Sequence, residues 1–469
     1  MYDLTLRQIA DIVGGQLVGN AGLVISGVTT DSRKSSRGDL FCAIVGSRVD
    51  GHDCSDEAMA LGAVASLVSR DVSGPHVLVP ESPDHLDPVV HALAKLATHV
   101  RKLMVNVEVI GITGSSGKTS TKDMIGQVLS HAGRTHAPAG SLNNELGLPL
   151  TILSAPVDLR YLVTEMGMRG MHQITYLCSI AFPSIGVVTN VGHAHIGEVG
   201  SVENIAKAKS ELIRALPADG VAVLNADDLR VSAMRTMTEA TIFSYGFNPD
   251  ADVRAEKVMI NSHGTYDFEL VYGGNRVATS IPMLGEHNVS NALAAATVGL
   301  AVGMELKDIA HALTELKQVS NWRMEVTQLP GRLTLINDAY NANPESMTAA
   351  LETLAGIPAE GKTWAVVGKM HELGDASNQL HEQVIAHAND LGISQVVAVG
   401  AAADSYGLGS QDGSGGKSVW LHDFAAASDY IVNGVNSGDV LLFKASRAEQ
   451  FELLAKDIED RLRKKWSQQ

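Results

Sequence analysis

The chain has 469 residues and 45% hydrophobic content, so it is long enough for two to four domains of ~100–200 residues. Its formal net charge of −16 argues against nucleic acid or an acidic membrane surface as its main partner. The three cysteines, Cys42, Cys54 and Cys178, show no metal or redox spacing and favour a reducing compartment. With no secretory signal and no apolar run long enough to span a membrane, we expect a cytoplasmic protein without membrane insertion.

The first part of the chain mixes helical and strand patterns. Helical spacing covers residues 4–14, 54–70 and 87–103, and short apolar runs at 38–46 and 75–80 are typical of strands. These patterns predict a small α/β domain over residues 1–104.

A second unit starts with the apolar run "NVEVIGIT" at 106–113. Similar runs recur with helical stretches between them, and an alanine-rich helix is predicted within 284–303. The predicted strands are 106–113, 161–166, 184–191 and 220–228. This alternation predicts a mostly parallel, doubly wound sheet in a central domain over residues 105–319.

The pattern restarts in a third unit, for which we predict a Rossmann-like α/β domain over residues 320–469. The glycine-rich stretch 407–418 is predicted to be a surface loop. The candidate strands are 333–340, 362–369, 394–400 and 439–447. The expected fold class is therefore α/β, in three domains.

The stretch "GITGSSGKTSTKDM" resembles a phosphate loop with shortened spacing, because the common pattern G-x-x-x-x-G-K-[ST] would need a glycine where Ile112 stands. A strand precedes it and a helix follows, so backbone N–H groups and a helix N-terminus could cradle phosphate. Lys118 would then reach the β- and γ-phosphates, and the Thr119 hydroxyl would bind Mg²⁺. The alternative is a plain glycine turn with an exposed lysine. The candidate nucleotide-binding residues are Gly114, Ser115, Ser116, Gly117, Lys118, Thr119 and Ser120.

Other candidates are ambiguous when each is considered alone. Glu165 ends a predicted strand and is either a ligand for the nucleotide's Mg²⁺ or a solvated carboxylate. His193 and His195 have H-x-H spacing, but no cysteine or further histidine cluster near them supports zinc. A helix is predicted over 201–213, where Lys209 reads as an ordinary solvated lysine. Arg323 is predicted to lie on a buried strand and to require an anion there.

The sequence T-G-x-x-G-K-[ST]-[ST]-T at 113–121 resembles the loop of the Mur ligases and folylpolyglutamate synthases, which form amide bonds with ATP. The resemblance implies that His195, in T-N-x-x-x-x-H, coordinates metal. It also implies that Lys209, in A-K-x-x-[LI], is carbamylated by CO₂ and binds a second Mg²⁺. Lys118, Lys209, Arg323 and His195 are then the expected catalytic residues, and Thr119, Glu165, His195 and Lys209 the expected metal ligands.

Two later motifs extend the resemblance. In G-x-H-N-x-x-N-x-L-A-A at 285–295, Asn288 and Asn291 would lie by the nucleotide, with Asn291 at the adenine. Arg323 would reach the γ-phosphate when the third domain closes, and Asp338 would contact the nucleotide. The sequence "YNANP" at 340–344 is typical of the branch that adds D-alanyl-D-alanine, which makes Tyr340, Asn341 and Asn343 candidate substrate contacts.

Two earlier segments agree with that branch, although loops alone could explain their Asn, Gly, Asp and Ser content. The segments 29–46 and 49–53 are similar to a uridine-nucleotide-binding domain, and 140–153 is similar to a substrate-facing loop. The implied substrate contacts are Asp31, Ser32, Arg33, Asn143, Asn144 and Glu145. The implied reaction phosphorylates the carboxylate of a UDP-N-acetylmuramoyl-tripeptide and transfers the acyl group to D-alanyl-D-alanine.

Two residues depart from the branch pattern: Lys369 stands where aspartate is more common, and Ala445 where glycine is usual. The alternatives are a folate polyglutamylating ligase and a nucleotide-gated binding protein that forms no amide. We expect a monomer. The third residue of the tripeptide, meso-diaminopimelate or L-lysine, is left open.

Overall fold

A computed structural model describes residues 1–82, 87–400, 406 and 418–467. These residues form three main sheets, each covered by helices. The three-domain α/β fold class is thereby confirmed. The boundaries after residues 104 and 319 stay predictions.

The amino-terminal part holds a five-stranded sheet and a two-stranded one. The strands are β1 (Leu4–Thr5), β2 (Gln16–Val18), β3 (Val24–Ile25), β4 (Gly27–Thr29), β5 (Asp39–Cys42), β6 (Ala65–Val68) and β7 (His76–Leu78), and the helices are α1 (Leu6–Val13), α2 (Ser55–Leu61) and α3 (Pro88–Leu103). The larger sheet has the order β2-β7-β6-β5-β4, and β1 pairs with β3.

The helix predicted over 54–70 is wrong in its second half. It ends at Leu61, because Gly62 takes a backbone φ of 128° that ordinary residues avoid and its N–H caps the last turn. Residues Ala65–Val68 are all buried and form β6 instead. A short apolar run flanked by glycine therefore formed a central strand rather than a further helical turn.

The central sheet has nine strands in the order β16-β15-β14-β13-β12-β11-β8-β10-β9. Its strands are β8 (Glu108–Thr113), β9 (Thr135–His136), β10 (Tyr161–Glu165), β11 (Ile185–Val188), β12 (Val221–Asn225), β13 (Thr241–Gly246), β14 (Val253–Ile260), β15 (Tyr266–Tyr272) and β16 (Asn275–Ile281). Its helices are α4 (Lys118–Ser130), α5 (Gly147–Leu153), α6 (Gln173–Ala181), α7 (Ile196–Val199), α8 (Val202–Arg214), α9 (Leu229–Ser232), α10 (His287–Ala301) and α11 (Leu306–Thr314). The Ser201 side chain caps α8 as its pattern indicates.

Strand order places the functional loops of this sheet together. β8 lies between β10 and β11 and is parallel to both, so the segments that follow all three strands meet at one edge. Ligands of open α/β sheets bind at such a crossover point. The patterns do not predict the antiparallel extension β14-β15-β16 at the far side.

In the described part of the chain, the third sheet has the order β17-β18-β22-β19-β20-β21, and of these strands only β17 is antiparallel to its neighbour. Its strands are β17 (Glu325–Leu329), β18 (Leu333–Asn337), β19 (Thr363–Val367), β20 (Gln395–Val399), β21 (Ser418–Leu421) and β22 (Val440–Lys444), and its helices are α12 (Pro344–Gly356), α13 (Ser377–Asp390), α14 (Phe424–Gly434) and α15 (Phe451–Trp466). The predicted loop at 407–418 lies, up to residue 417, outside the described residues.

Two general features bear on the class of protein. Among the described residues, no helix combines the length and apolarity that crossing a bilayer requires. Cys42, Cys54 and Cys178 are all free thiols, as their spacing indicates.

Candidate functional site

The glycine-rich stretch forms a tight loop between β8 and α4. A Cβ atom on Gly114 would lie 1.8 Å from Thr189 Oγ1, so only glycine fits there. Gly117 begins α4 with a φ of 77°, and a Cβ on it would lie 2.7 Å from Asn291 Oδ1. The two glycines thus permit close packing of the loop against the end of β11 and against α10.

The segment after β11 braces the loop from one side. Asn190 accepts the Ser115 N–H with its backbone carbonyl at 3.0 Å and the Ser116 N–H with Oδ1 at 2.9 Å. Thr189 Oγ1 donates to the Ser116 carbonyl at 2.7 Å. Sequence reasoning used the Thr189-Asn190 pair only to locate His195, although the pair itself holds the phosphate loop.

Lys118 folds over its own loop. Its Nζ donates to the carbonyl of Gly114 at 2.7 Å. Burial lowers the pKa of Lys118, the nearby Arg323 cation lowers it further, and Glu165 opposes the change. The ammonium therefore lies where an anionic group at the loop would gain a cation in a poorly solvated place.

Glu165 ends β10 and is only 3% exposed. Its Oε2 accepts the Thr119 hydroxyl at 2.8 Å, and its Oε1 accepts Ser141 Oγ at 2.8 Å and Asn143 Nδ2 at 2.7 Å. A carboxylate and a hydroxyl oxygen therefore converge beside the phosphate loop, and hard oxygen donors of this kind suit Mg²⁺. Among the described residues, no three His, Cys, Asp or Glu side chains cluster as a metal site.

Lys209 is buried on α8, with 2% exposure, and is not among the residues that line the cleft described below. Burial and the positive charge of Lys118 lower the pKa of Lys209 well below its usual range. A lysine in this environment spends more time as the neutral amine, which is the form that reacts with CO₂. Lys207, on the same helix, is exposed.

Both histidines of the H-x-H pair bind carboxylates of the third domain. His195 Nδ1 lies 2.5 Å from Glu372 Oε2, and His193 Nδ1 lies 2.5 Å from Glu345 Oε1. The hydrogen bond with His195 lowers the pKa of Glu372. These contacts join the segment after β11 to the third domain, and the sequence alone assigned His193 no role.

Arg323 lies in a bend before β17, so its predicted place on a buried strand is wrong. The guanidinium stacks on the Tyr340 ring at 4.1 Å, and Nη2 donates to Thr119 Oγ1 at 3.1 Å. Its Nε is buried and has no hydrogen-bond partner among the described residues. Stacking orients the cation toward the phosphate loop and leaves a donor available, so the role of Arg323 in binding an anion stays a prediction.

Asp338 follows β18 and pairs with a lysine that the sequence analysis leaves unassigned. Lys444 Nζ lies 2.5 Å from Asp338 Oδ2 and donates to the Asn341 carbonyl at 3.0 Å. Burial lowers the pKa of Lys444, which Asp338 opposes. Burial also lowers the pKa of His287, beside this pair, to about 4. Lys444 lies in the "FKASR" stretch, where the sequence analysis considers only Ala445. Ala445 itself is buried in the core.

The two asparagines at the start of α10 form a buried chain. Thr121 Oγ1 donates to Asn291 Oδ1 at 3.1 Å, and Asn291 Nδ2 donates to Asn288 Oδ1 at 2.9 Å. Asn288 Nδ2 in turn donates to the Leu284 carbonyl at 2.8 Å. These amides tie α10 to the phosphate-loop helix while both still line the cleft.

A cleft of about 1050 Å³ brings most of the candidates together. Its lining includes residues 115–120, 143–145 and 340–343, together with Glu165, His195, Asn288, Asn291, Arg323, Asp338 and Lys444. Asp31, Ser32 and Arg33 do not line it. Arg33 instead forms an ion pair with Asp31 at 2.8 Å, and Ser32 Oγ donates to Glu57 at 2.5 Å. Their role toward a uridine nucleotide stays a prediction.

Comparison with known proteins shows the family of the chain. Family models described as "Mur ligase family, catalytic domain", "Mur ligase middle domain" and "Mur ligase, glutamate ligase domain" match residues 24–103, 112–299 and 322–447. A UDP-N-acetylmuramoyl-tripeptide–D-alanyl-D-alanine ligase from Mycobacterium tuberculosis is 40% identical, over 96% of each chain.

Solved structures give the same result. MurF from Acinetobacter baumannii is 30% identical and superposes with a TM-score of 0.86, over 98% of this chain and 99% of that one. MurF ligase from Thermotoga maritima, in complex with ADP, is 29% identical with a TM-score of 0.78, over 94% and 98%. The chain therefore belongs to the Mur ligase family, and within it to the MurF branch.

Proposed function

We propose that this chain joins D-alanyl-D-alanine to UDP-N-acetylmuramoyl-tripeptide with ATP, giving the pentapeptide, ADP and phosphate in peptidoglycan precursor synthesis. The relatives that are similar over nearly the whole chain carry that activity in their names. They favour it over folate polyglutamylation and over a binding protein without ligase activity. The reaction consumes small soluble substrates, which is consistent with a cytoplasmic enzyme.

One observation supports the proposal most strongly: cations from two domains converge on one phosphate loop. Lys118 belongs to the loop itself, and Arg323 reaches Thr119 from the third domain. Transfer of the γ-phosphoryl group to a carboxylate brings two anions together, so catalysis depends on neutralising and aligning them. This cleft can do both.

In the first step, we propose that the substrate carboxylate attacks the γ-phosphorus of ATP, giving an acyl phosphate and ADP. Lys118 and Arg323 hold the phosphates, and Asn288, Asn291 and Asp338 hold the nucleoside. Two Mg²⁺ ions, when bound, would offset negative charge on the transferring group. The residues that would hold them are Thr119, Glu165, His195 and a carbamylated Lys209.

The burial of Lys209 favours carbamylation of its amine. The Lys209 ammonium first loses one proton; the neutral amine then attacks CO₂, a C–N bond forms as one C=O π bond opens onto oxygen, and a second proton is released, so that an anionic oxygen donor replaces a buried cation. The lowered pKa of Lys209 supports this step, because it increases the fraction of the amine that is neutral. The oxygen donor would then be of the kind that Mg²⁺ prefers.

In the second step, the D-alanyl-D-alanine amine attacks the acyl phosphate and phosphate leaves. Tyr340, Asn341 and Asn343 are proposed to orient the dipeptide, and Asn143, Asn144 and Glu145 the tripeptide. Asp31, Ser32 and Arg33 would bind the uridine nucleotide. Contacts between the central and third domains, such as those of Arg323 with Thr119 and of His195 with Glu372, lie at the cleft and would limit hydrolysis of the intermediate by water.

The test is phosphate release from ATP by purified protein with Mg²⁺ and bicarbonate. UDP-N-acetylmuramoyl-tripeptide, in its meso-diaminopimelate and L-lysine forms, and D-alanyl-D-alanine are supplied separately and together. We expect release only when tripeptide and dipeptide are both present, with a product heavier by one dipeptide residue. Release that depends on either tripeptide with a different amine donor, or on neither tripeptide, would refute the proposed substrates.

A further inference from the structure

Lys122 is buried on the helix that begins at the phosphate loop, one turn after Lys118. It is 2% exposed, and its Nζ donates to the carbonyls of Pro138 and, at 2.9 Å, Gly140. Asp123 Oδ1 lies 2.9 Å from the same nitrogen. The ammonium thus has two carbonyl acceptors and a carboxylate beside it that compensates its charge without a hydrogen bond, and a buried lysine needs such partners if it is to stay charged.

The two carbonyls belong to the segment 138–145, here called the substrate segment, which supplies Ser141, Asn143, Asn144 and Glu145 to the wall of the cleft. Ser141 and Asn143 are also the residues that hold Glu165 Oε1. The substrate segment has no regular secondary structure, so side-chain contacts must fix its position.

Two further backbone hydrogen bonds hold the substrate segment, and neither of them duplicates the contact with Lys122. The Gly140 N–H donates to Ser320 Oγ at 3.1 Å, and the Asn143 carbonyl accepts the Gly167 N–H at 2.8 Å. Both connect the substrate segment to regions other than α4. Among the described residues, Lys122 is the side chain of α4 that bonds to the backbone of this segment.

We propose that Lys122 is a positioning residue that fixes the substrate segment to the nucleotide-binding helix. Through Ser141 and Asn143 it keeps Glu165 aligned with Thr119, and it keeps the tripeptide side of the cleft in register with the phosphates. Lys122 touches neither nucleotide nor tripeptide in this role. The inference rests on the proposed function and adds a residue to it.

The test is Lys122→Met, which keeps the length of the side chain and removes the charge. Losing charged hydrogen bonds to a loop should raise the KM for UDP-N-acetylmuramoyl-tripeptide at least about tenfold and lower kcat. The Kd for ADP, measured by calorimetry, should change less than about twofold, because the phosphate loop keeps its own contacts. Lys307→Met, at an exposed position on α11, is the matched control and should match the wild type.

A double-variant cycle separates positioning from a general loss of packing. If Lys122 acts through the substrate segment, the effects of Lys122→Met and Asn143→Ala on the KM for the tripeptide should be non-additive, since each substitution disturbs the same segment. Additive effects would overturn the inference. An equal rise in the Kd for ADP and in the KM for the tripeptide would also overturn it, because that pattern indicates damage to α4 itself.

Folding and function are checked in the same series. If Lys122→Met does not fold, Lys122→Arg takes its place, since it keeps the charge with a different reach, and the same split between tripeptide KM and ADP affinity is expected. A wild type without turnover refutes the proposed function. An active wild type whose tripeptide KM is unchanged in the variant refutes only the role of Lys122.

Discussion

Replacing Lys444 by methionine should destabilise the third domain while leaving its shape nearly unchanged. The side chains of Lys444 and Asp338 are 3% and 12% exposed, so the substitution leaves a buried carboxylate without its cation. The Asn341 carbonyl loses a donor as well. Methionine has a similar length and is apolar, so packing changes little and the electrostatic loss dominates.

The size of the effect follows from the burial of the pair. Breaking a buried ion pair by removing one partner costs about 3–5 kcal/mol, because the remaining charge stays desolvated. Asp338 still accepts the Met324 N–H at 3.1 Å, so we expect the low end, about 3 kcal/mol. Lys444→Met combined with Asp338→Asn removes both charges and should recover most of that loss.

The tryptophans allow the measurement to be made on this domain alone. The chain has four tryptophans, and all of them lie beyond residue 320, at positions 322, 364, 420 and 466. Tryptophan fluorescence during urea unfolding therefore reports the third domain rather than the whole chain. The control is Lys456→Met, which breaks a surface pair with Asp460 and should change stability by less than about 0.5 kcal/mol.

Two results would refute this reasoning. A loss below about 1 kcal/mol in Lys444→Met would mean that the Asp338 carboxylate is solvated or protonated at little cost. A double variant no more stable than the single one would mean that lost packing, and not an unpaired charge, causes the effect.

Three further predictions concern the cleft. Lys209→Ala should greatly lower turnover, with partial rescue by short carboxylic acids, whereas Lys207→Ala at the exposed neighbour should keep normal turnover; near-normal activity of the Lys209 variant would exclude carbamylation. Arg323→Lys should lower kcat at least about tenfold, because lysine lacks the planar face that stacks on Tyr340, and an unchanged kcat would exclude that geometry. Because burial lowers the pKa of His287 to about 4 from 6.5, the unfolded chain binds a proton that the folded chain resists, and stability falls as the pH drops below 6.5. The wild type should therefore lose about 2 kcal/mol more than His287→Asn between pH 7 and pH 5 in urea unfolding, and equal losses would contradict it.

Structure within a short stretch of chain could be predicted from the sequence, because interactions between neighbouring residues determine it. The strand, glycine turn and helix at 108–130 follow from glycine freedom and helix-terminal N–H groups in consecutive residues. The helix over 54–70 shows the limit of that approach. Its apolar residues suit either structure, and pairing of Ala65–Val68 with strands on both sides decided for β6.

The amino-acid sequence by itself determined the family, the three α/β domains and the phosphate loop, because these depend on motif residues and periodicities along the chain. Only the tertiary structure decided which charges meet. Lys444 is 106 residues from Asp338, and His195 is 177 residues from Glu372. No local pattern encodes such a pair, since the partner is chosen by strand order and by the packing of one domain against another. Burial then determines whether each pair keeps its charge, and burial is a property of the folded chain alone.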